Sequence, residues 1–129
     1  MNVKTLHRVL TKQAIRFAIS GLLVTGLHAL IATVFILFVL PAPPLANGVA
    51  FVVATVFSYW INTTWSFSST LHGRSLMRFC IVSFVGLFLA MFVSGVAQYY
   101  GLHYLYGIAF VVCIIPPVTF LLHNFWTYR

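Results

Sequence analysis

The chain has no aspartate and no glutamate, and only seven lysines and arginines. Without a carboxylate it lacks the acids and bases of glycoside hydrolysis, the hard oxygen ligands of Mg²⁺ or Ca²⁺, and the intramembrane acid of a proton-driven pump. An enzyme is therefore not expected. A small cation exporter of the multidrug type would suit a chain of short helices, but it would need a membrane-embedded glutamate. Cysteine is also scarce. Cys80 and Cys113 fall at different depths of separate apolar runs, roughly 15 Å apart by helical rise, so a disulfide within one chain is not expected. The histidines, His7, His28, His72, His103 and His123, form no ligand pair at helical spacing, and neither a metal nor another cofactor is expected.

What the chain has instead is apolar surface. At 62% hydrophobic and 5% charged it cannot keep a water-facing surface, which needs roughly a quarter charged residues, so its solvent is lipid. Runs at about 14–40, 46–67, 79–98 and 104–125 each supply the ~20 apolar residues that cross a bilayer core. The first run is about twice the length of a signal peptide's apolar region, which argues for a retained span. Lys4, Arg8, Lys12 and Arg16 precede the first run, Arg74 and Arg78 lie between the second and third, and Arg129 ends the chain. The other two connections carry no Lys or Arg, so the positive-inside rule puts both termini and the central loop in the cytoplasm. The four early basic residues recur every fourth position opposite Val3, Leu6, Leu10, Ala14 and Phe17, as in an amphipathic helix lying on anionic lipid. Membrane lipid is thus the expected partner of the basic charge, and nucleic acid is not.

Sliding the second half of the chain onto the first reveals an internal repeat. Arg16-Phe17 matches Arg78-Phe79. Ser58-Tyr59-Trp60-Ile61-Asn62, followed by Trp65-Ser66-Phe67, matches Thr119-Phe120-Leu121-Leu122-His123, followed by Trp126-Thr127-Tyr128. Each half reads as a helical hairpin that crosses twice, so the copies share one orientation and a parallel pseudo-two-fold is expected. The expected fold is an all-α membrane protein of one domain over residues 1–129. An amphipathic interfacial segment at 1–13 leads into tandem hairpin repeats at 14–68 and 77–128, together making four transmembrane helices.

Thr55, Ser58, Asn62 and Trp65 share one helix face, and Pro116, Thr119, His123 and Trp126 are their equivalents. These stripes are candidates to line a common cavity, although hydrogen-bonding glue between helices and interface tryptophans are the plainer roles for Ser58, Thr119, Trp65 and Trp126. Small-residue stripes at Gly21, Thr25 and His28, at Ala46, Ala50 and Ala54, and at Gly86, Ala90 and Ser94 imply close helix contact. Pro116-Pro117 removes backbone donors midway along the fourth run and predicts a kink or hinge. What remains for chemistry is a positive, aromatic-lined region suited to an amphiphilic anion. Arg16, Arg78 and Arg129 are its candidates for phosphate, and Asn62, His123, Asn124, Ser58, Thr119, Trp65, Trp126 and, near mid-membrane, His28 are its candidates for a sugar or headgroup.

Arg16-Phe17 with Gly21, Leu45-Ala46-Asn47, Ser58 with Asn62, Trp65 and Phe67, Arg78-Phe79 with Gly86, and Asn124-Phe125-Trp126 together resemble the GtrA-like family of four-span membrane proteins. The resemblance covers essentially 14–129 and rests on the order, spacing and duplication of these pieces. It implies residence in a bacterial cytoplasmic (inner) membrane and translocation of an undecaprenyl- or other polyprenyl-phosphate-linked sugar for surface polysaccharide glycosylation, such as O-antigen modification. The alternative it allows is a non-transporting scaffold or accessory subunit for a glycosyltransferase. Implied partners are the lipid-linked sugar and glycosyltransferases of the same pathway, and because four short helices make a narrow bundle, a homodimer or larger assembly is expected to supply the cavity walls. Where the family often carries a basic residue before the aromatic endings, this chain has Thr63-Thr64 and Asn124, and His123 stands where Asn is common. Arg16, Arg78 and Arg129 must then serve the phosphate, or charge must matter less.

Overall fold

The computed structural model describes residues 2–129, apart from the side chains at 43, 44, 47, 104, 107, 108, 111 and 112. Asn47, one of the residues that carry the family likeness, has its side chain outside this described set. The described residues form four α-helices and no strand: α1 (Val3–Phe38), α2 (Pro43–Ile61), α3 (Gly73–Tyr99) and α4 (Tyr104–Leu122). Each of α2 and α4 continues into one π-helical turn, Asn62–Ser66 and His123–Thr127 respectively. The chain divides into two compact units, Met1–Leu71 and His72–Arg129, each containing one pair of packed helices.

In the first unit, α1 starts at Asn2, whose side-chain oxygen accepts from the Lys4 N–H at 3.2 Å. No glycine or proline occurs from Val3 to Ser20 to interrupt it. The amphipathic segment expected to lie apart from the first span is therefore the opening turns of one 36-residue helix, roughly 54 Å long. Pro41 ends the run, and Pro43-Pro44 open α2, where a missing N–H costs nothing. α2 meets α1 along Ala46, Ala50 and Ala54, all buried, with Ala32 and Ser20 buried on α1. Gly21 and Thr25 remain exposed, and a Cβ at Gly21 would touch nothing within 4 Å, so that stripe lies off the hairpin contact.

In the second unit, Arg74 and Arg78 belong to the first turns of α3 rather than to a loop, because the helix begins at Gly73. Ser75, Phe79, Val82 and Gly86 recur at four, three and four residues and are buried, which makes one face against α4. At Gly86 the helices approach closely, since an added Cβ would lie 3.0 Å from Thr119 Cγ2. Ala90 is half-buried and Ser94 exposed, so only the start of that stripe serves the contact. α3 closes at Gly101, whose φ of 68° lets the Leu102 N–H reach back to the Ala97 carbonyl at 3.1 Å. α4 runs on through Pro116 and Pro117, and the Thr119 hydroxyl donates to the Ile115 carbonyl at 3.0 Å.

Large apolar side chains such as Leu22, Leu30 and Phe38 on α1, and Phe88 and Phe92 on α3, stand exposed. Water would not tolerate such a surface, and lipid favours it. Both α1 and α3 are long and apolar enough to cross a membrane.

Candidate functional site

The two units build the same device at the same end of their hairpins. A helix end leaves its last carbonyls without donors and gathers partial negative charge. At the end of α2, the Phe67 N–H reaches the Asn62 carbonyl at 2.9 Å and the Ser69 N–H reaches the Thr63 carbonyl at 2.7 Å. The Trp65 carbonyl is taken by Arg16 Nη1 at 2.9 Å, and the same guanidinium sits 5.5 Å from the centre of the Trp65 ring. In the second unit, Arg78 Nη1 donates to the carbonyls of Trp126 and Arg129, each at 2.9 Å, and lies 5.5 Å from the Trp126 ring centre. Each arginine thus caps the end of its neighbouring helix and lies over the indole beside that end.

The π turns make this possible. Widening one turn to i→i+5 bonding admits an extra residue and turns the following carbonyls off the α-helical line. The Tyr128 N–H bonds the His123 carbonyl at 3.1 Å, as Phe67 bonds Asn62 in the first unit. Both arginines are half-buried, and each keeps guanidinium N–H groups without a protein acceptor among the described residues. A guanidinium has five N–H donors in a planar fork, so one bonded nitrogen leaves the rest able to meet a phosphate.

Behind the arginines the units differ. Asn62 is 2% exposed and turned into α1, with every polar atom engaged inside its own hairpin. Its Nδ2 donates to the Ser58 carbonyl at 2.9 Å and to Ser58 Oγ at 3.2 Å, while its Oδ1 accepts from Ser66 at 2.9 Å and from Ser20. Its position at the start of the π turn makes it a clasp between α1 and α2. The equivalent His123, also buried, stacks on Phe79 with ring centres 4.4 Å apart and pairs Nδ1 with Thr127 Oγ1 at 3.0 Å. Phe17 and Phe67 make the corresponding aromatic contact in the first unit, edge to face at 6.0 Å. Within the second π turn, Asn124 Nδ2 is buried with no hydrogen-bond partner among the described residues. An unsatisfied buried donor is costly and marks a place for an acceptor.

The remaining candidates divide by position. Trp65 and Trp126 are partly exposed beside the arginines. Arg129 contributes its carbonyl to Arg78 and lays its own guanidinium 5.2 Å from the Phe125 ring centre. Ser58 supports Asn62, and Thr119 lies in the α3–α4 contact with its hydroxyl turned to its own helix. His28 lies half-buried on α1, about 18 Å along the helix from Arg16. Reading the sequence misses Ser20, Ser66 and Thr127, and it misses the π turns. Ser20 stands one helical turn beyond Arg16, a spacing that places it on the same face of α1.

Paired apolar helices closed by cationic caps, with polar side chains such as Asn62 and His123 bonded inside their own hairpins, define an integral membrane protein of helical-hairpin construction. The family model for the GtrA/DPMS transmembrane domain matches residues 16–128, and the chain belongs to that family. Membership fits a membrane role connected with polyprenyl-phosphate sugars, in a family that is generally non-catalytic. No curated protein and no solved structure matches the chain.

Proposed function

We propose that the protein translocates a polyprenyl-phosphate-linked sugar from the cytoplasmic to the outer leaflet, crossing the bilayer four times with both termini in the cytoplasm. The observation that carries this reading is the duplicated arginine. Arg16 and Arg78 are each fixed by a carbonyl and an indole and keep N–H donors for an anion. Burying a bare phosphate is very costly, so any protein that guides one across lipid must replace its hydration with positive charge and hydrogen bonds. The prenyl tail can stay in hydrocarbon throughout. Asn124, with its unpartnered amide, is the leading contact for the sugar, and His123 and Asn62 act by holding the shape of the two π turns. Trp65 and Trp126 offer indole faces to the headgroup.

Trp65 and Trp126 also provide the test. Titrating the purified protein with a short-chain polyprenyl-phosphate hexose is expected to change tryptophan emission saturably, and Arg16→Gln with Arg78→Gln is expected to abolish the change in a folded protein. An unchanged titration in the double variant would remove the arginines from the site. A non-transporting scaffold for a glycosyltransferase is the second reading, favoured by the exposed basic residues Lys4, Arg8 and Lys12 on the opening turns of α1.

A further inference from the structure

α4 lacks two backbone donors midway along its length, at Pro116 and Pro117. In an α-helix the carbonyls of Val112 and Cys113 take their donors from residues 116 and 117, and both are proline without an N–H. The nearest hydroxyl does not compensate, because Thr119 Oγ1 donates to the carbonyls of Ile115 and Pro116. Cys113, Pro116 and Pro117 are all exposed, so α3 does not cover this side of the helix. In a membrane-spanning helix, carbonyls that lose their donors are satisfied by neighbouring protein, by water in a polar cavity or by local tightening or widening of the helix, and α4 keeps α-helical form from Tyr104 to Leu122, which leaves the first two.

We infer that the Cys113–Pro117 side of α4 is a hydroxyl-binding step on a polar path through the membrane, where the carbonyls of Val112 and Cys113 accept from the sugar of the lipid-linked substrate. This rests on the four-span translocation reading, which puts Cys113 roughly 20 Å from Trp126 along α4, near mid-membrane. Two adjacent acceptors with no fixed donor suit a ligand rich in hydroxyls. The phosphodiester, an anion with no donor near neutral pH, would be repelled by these oxygens, so the step recognises the sugar and leaves the anion to the arginines. Between substrates, water fills the same acceptors.

Cys113 reports on this directly. In the Cys80→Ser protein it is the sole thiol, since the chain has two cysteines. In liposomes, a charged, membrane-impermeant methanethiosulfonate is expected to modify Cys113. A short-chain polyprenyl-phosphate hexose is expected to slow that reaction, whereas the same polyprenyl phosphate without sugar leaves it unchanged. Pro116→Ala with Pro117→Ala, which restores both backbone donors without weakening the helix, is expected to reduce the protection roughly tenfold, about the worth of one net hydrogen bond. Modification only by lipid-soluble N-ethylmaleimide would overturn the inference, because Cys113 would then face lipid. Protection by the sugar-free lipid alone, or none by either, would also overturn it. Transport measured in the same vesicles separates the two readings. Active transport with an unprotected Cys113 removes this step and leaves translocation standing, whereas a sugar-protected Cys113 without transport keeps the step and removes translocation.

Discussion

A guanidinium can bond a carbonyl through one nitrogen, lie over an indole and still turn a second nitrogen elsewhere. Arg16 and Arg78 make the first two contacts within their own hairpins, and a lysine could not reproduce that geometry while keeping a donor fork free. Arg78→Lys is therefore expected to lower the stability of the protein in detergent by about 1–2 kcal/mol, since the carbonyls of Trp126 and Arg129 lose a charged donor. Arg16→Lys, with one carbonyl at stake, is expected to cost less, and denaturant unfolding of the two variants checks the order. Asn62 and Asn124 predict opposite behaviour despite the same chemistry. Asn62→Ala takes this partner from Ser58 and Ser66 and leaves Ser20 only the Phe17 carbonyl, and it is expected to cost roughly 2 kcal/mol. Asn124→Ala removes a donor that has no partner, so stability is expected to hold while affinity for the lipid-linked hexose falls. Equal loss of stability in both variants would contradict this assignment.

The elements explain which parts of the structure could be read in advance. Apolar runs, prolines and the placement of arginines locate the helices, because those signals act within a few residues. The buried alanines of α2 were legible for the same reason, as a four-residue spacing of small side chains. The π turns were not. A π turn differs from an α turn by one residue of backbone bonding, and its cost is met by tertiary contacts such as the Arg16–Trp65 bond, which no local pattern carries. A helix wheel gives Asn62 a face but not its neighbour, and the packing sets that face against Ser20 on α1. Deleting Thr64 is expected to convert the first π turn to α geometry and swing the Trp65 carbonyl away from Arg16 by about 100°. Lowered stability together with lost headgroup binding is the expected outcome, against a deletion of the exposed Leu71 in the following loop as control. On α3, Gly86→Val is expected to force α4 away at Thr119 and destabilise the second hairpin, whereas Gly21→Ala leaves the first hairpin unchanged. Thermal unfolding in detergent distinguishes the pair.

For the whole molecule, the duplication has a physical consequence. Each hairpin carries its own cationic cap beside an exposed indole. On the proposed translocation reading, either arginine would meet the phosphate with no Asp or Glu to repel it. With no acidic relay, that reading has the substrate move down its own gradient, sustained by consumption on the far side. The most direct measurement is transbilayer movement of a short-chain polyprenyl-phosphate hexose in liposomes holding the purified protein, beside empty liposomes and the folded Arg16→Gln, Arg78→Gln protein. The account predicts movement well above the empty liposomes that the double variant loses. Movement no faster than in empty liposomes, with the native protein folded and oriented, would contradict it and point to a scaffold that works only with its glycosyltransferase.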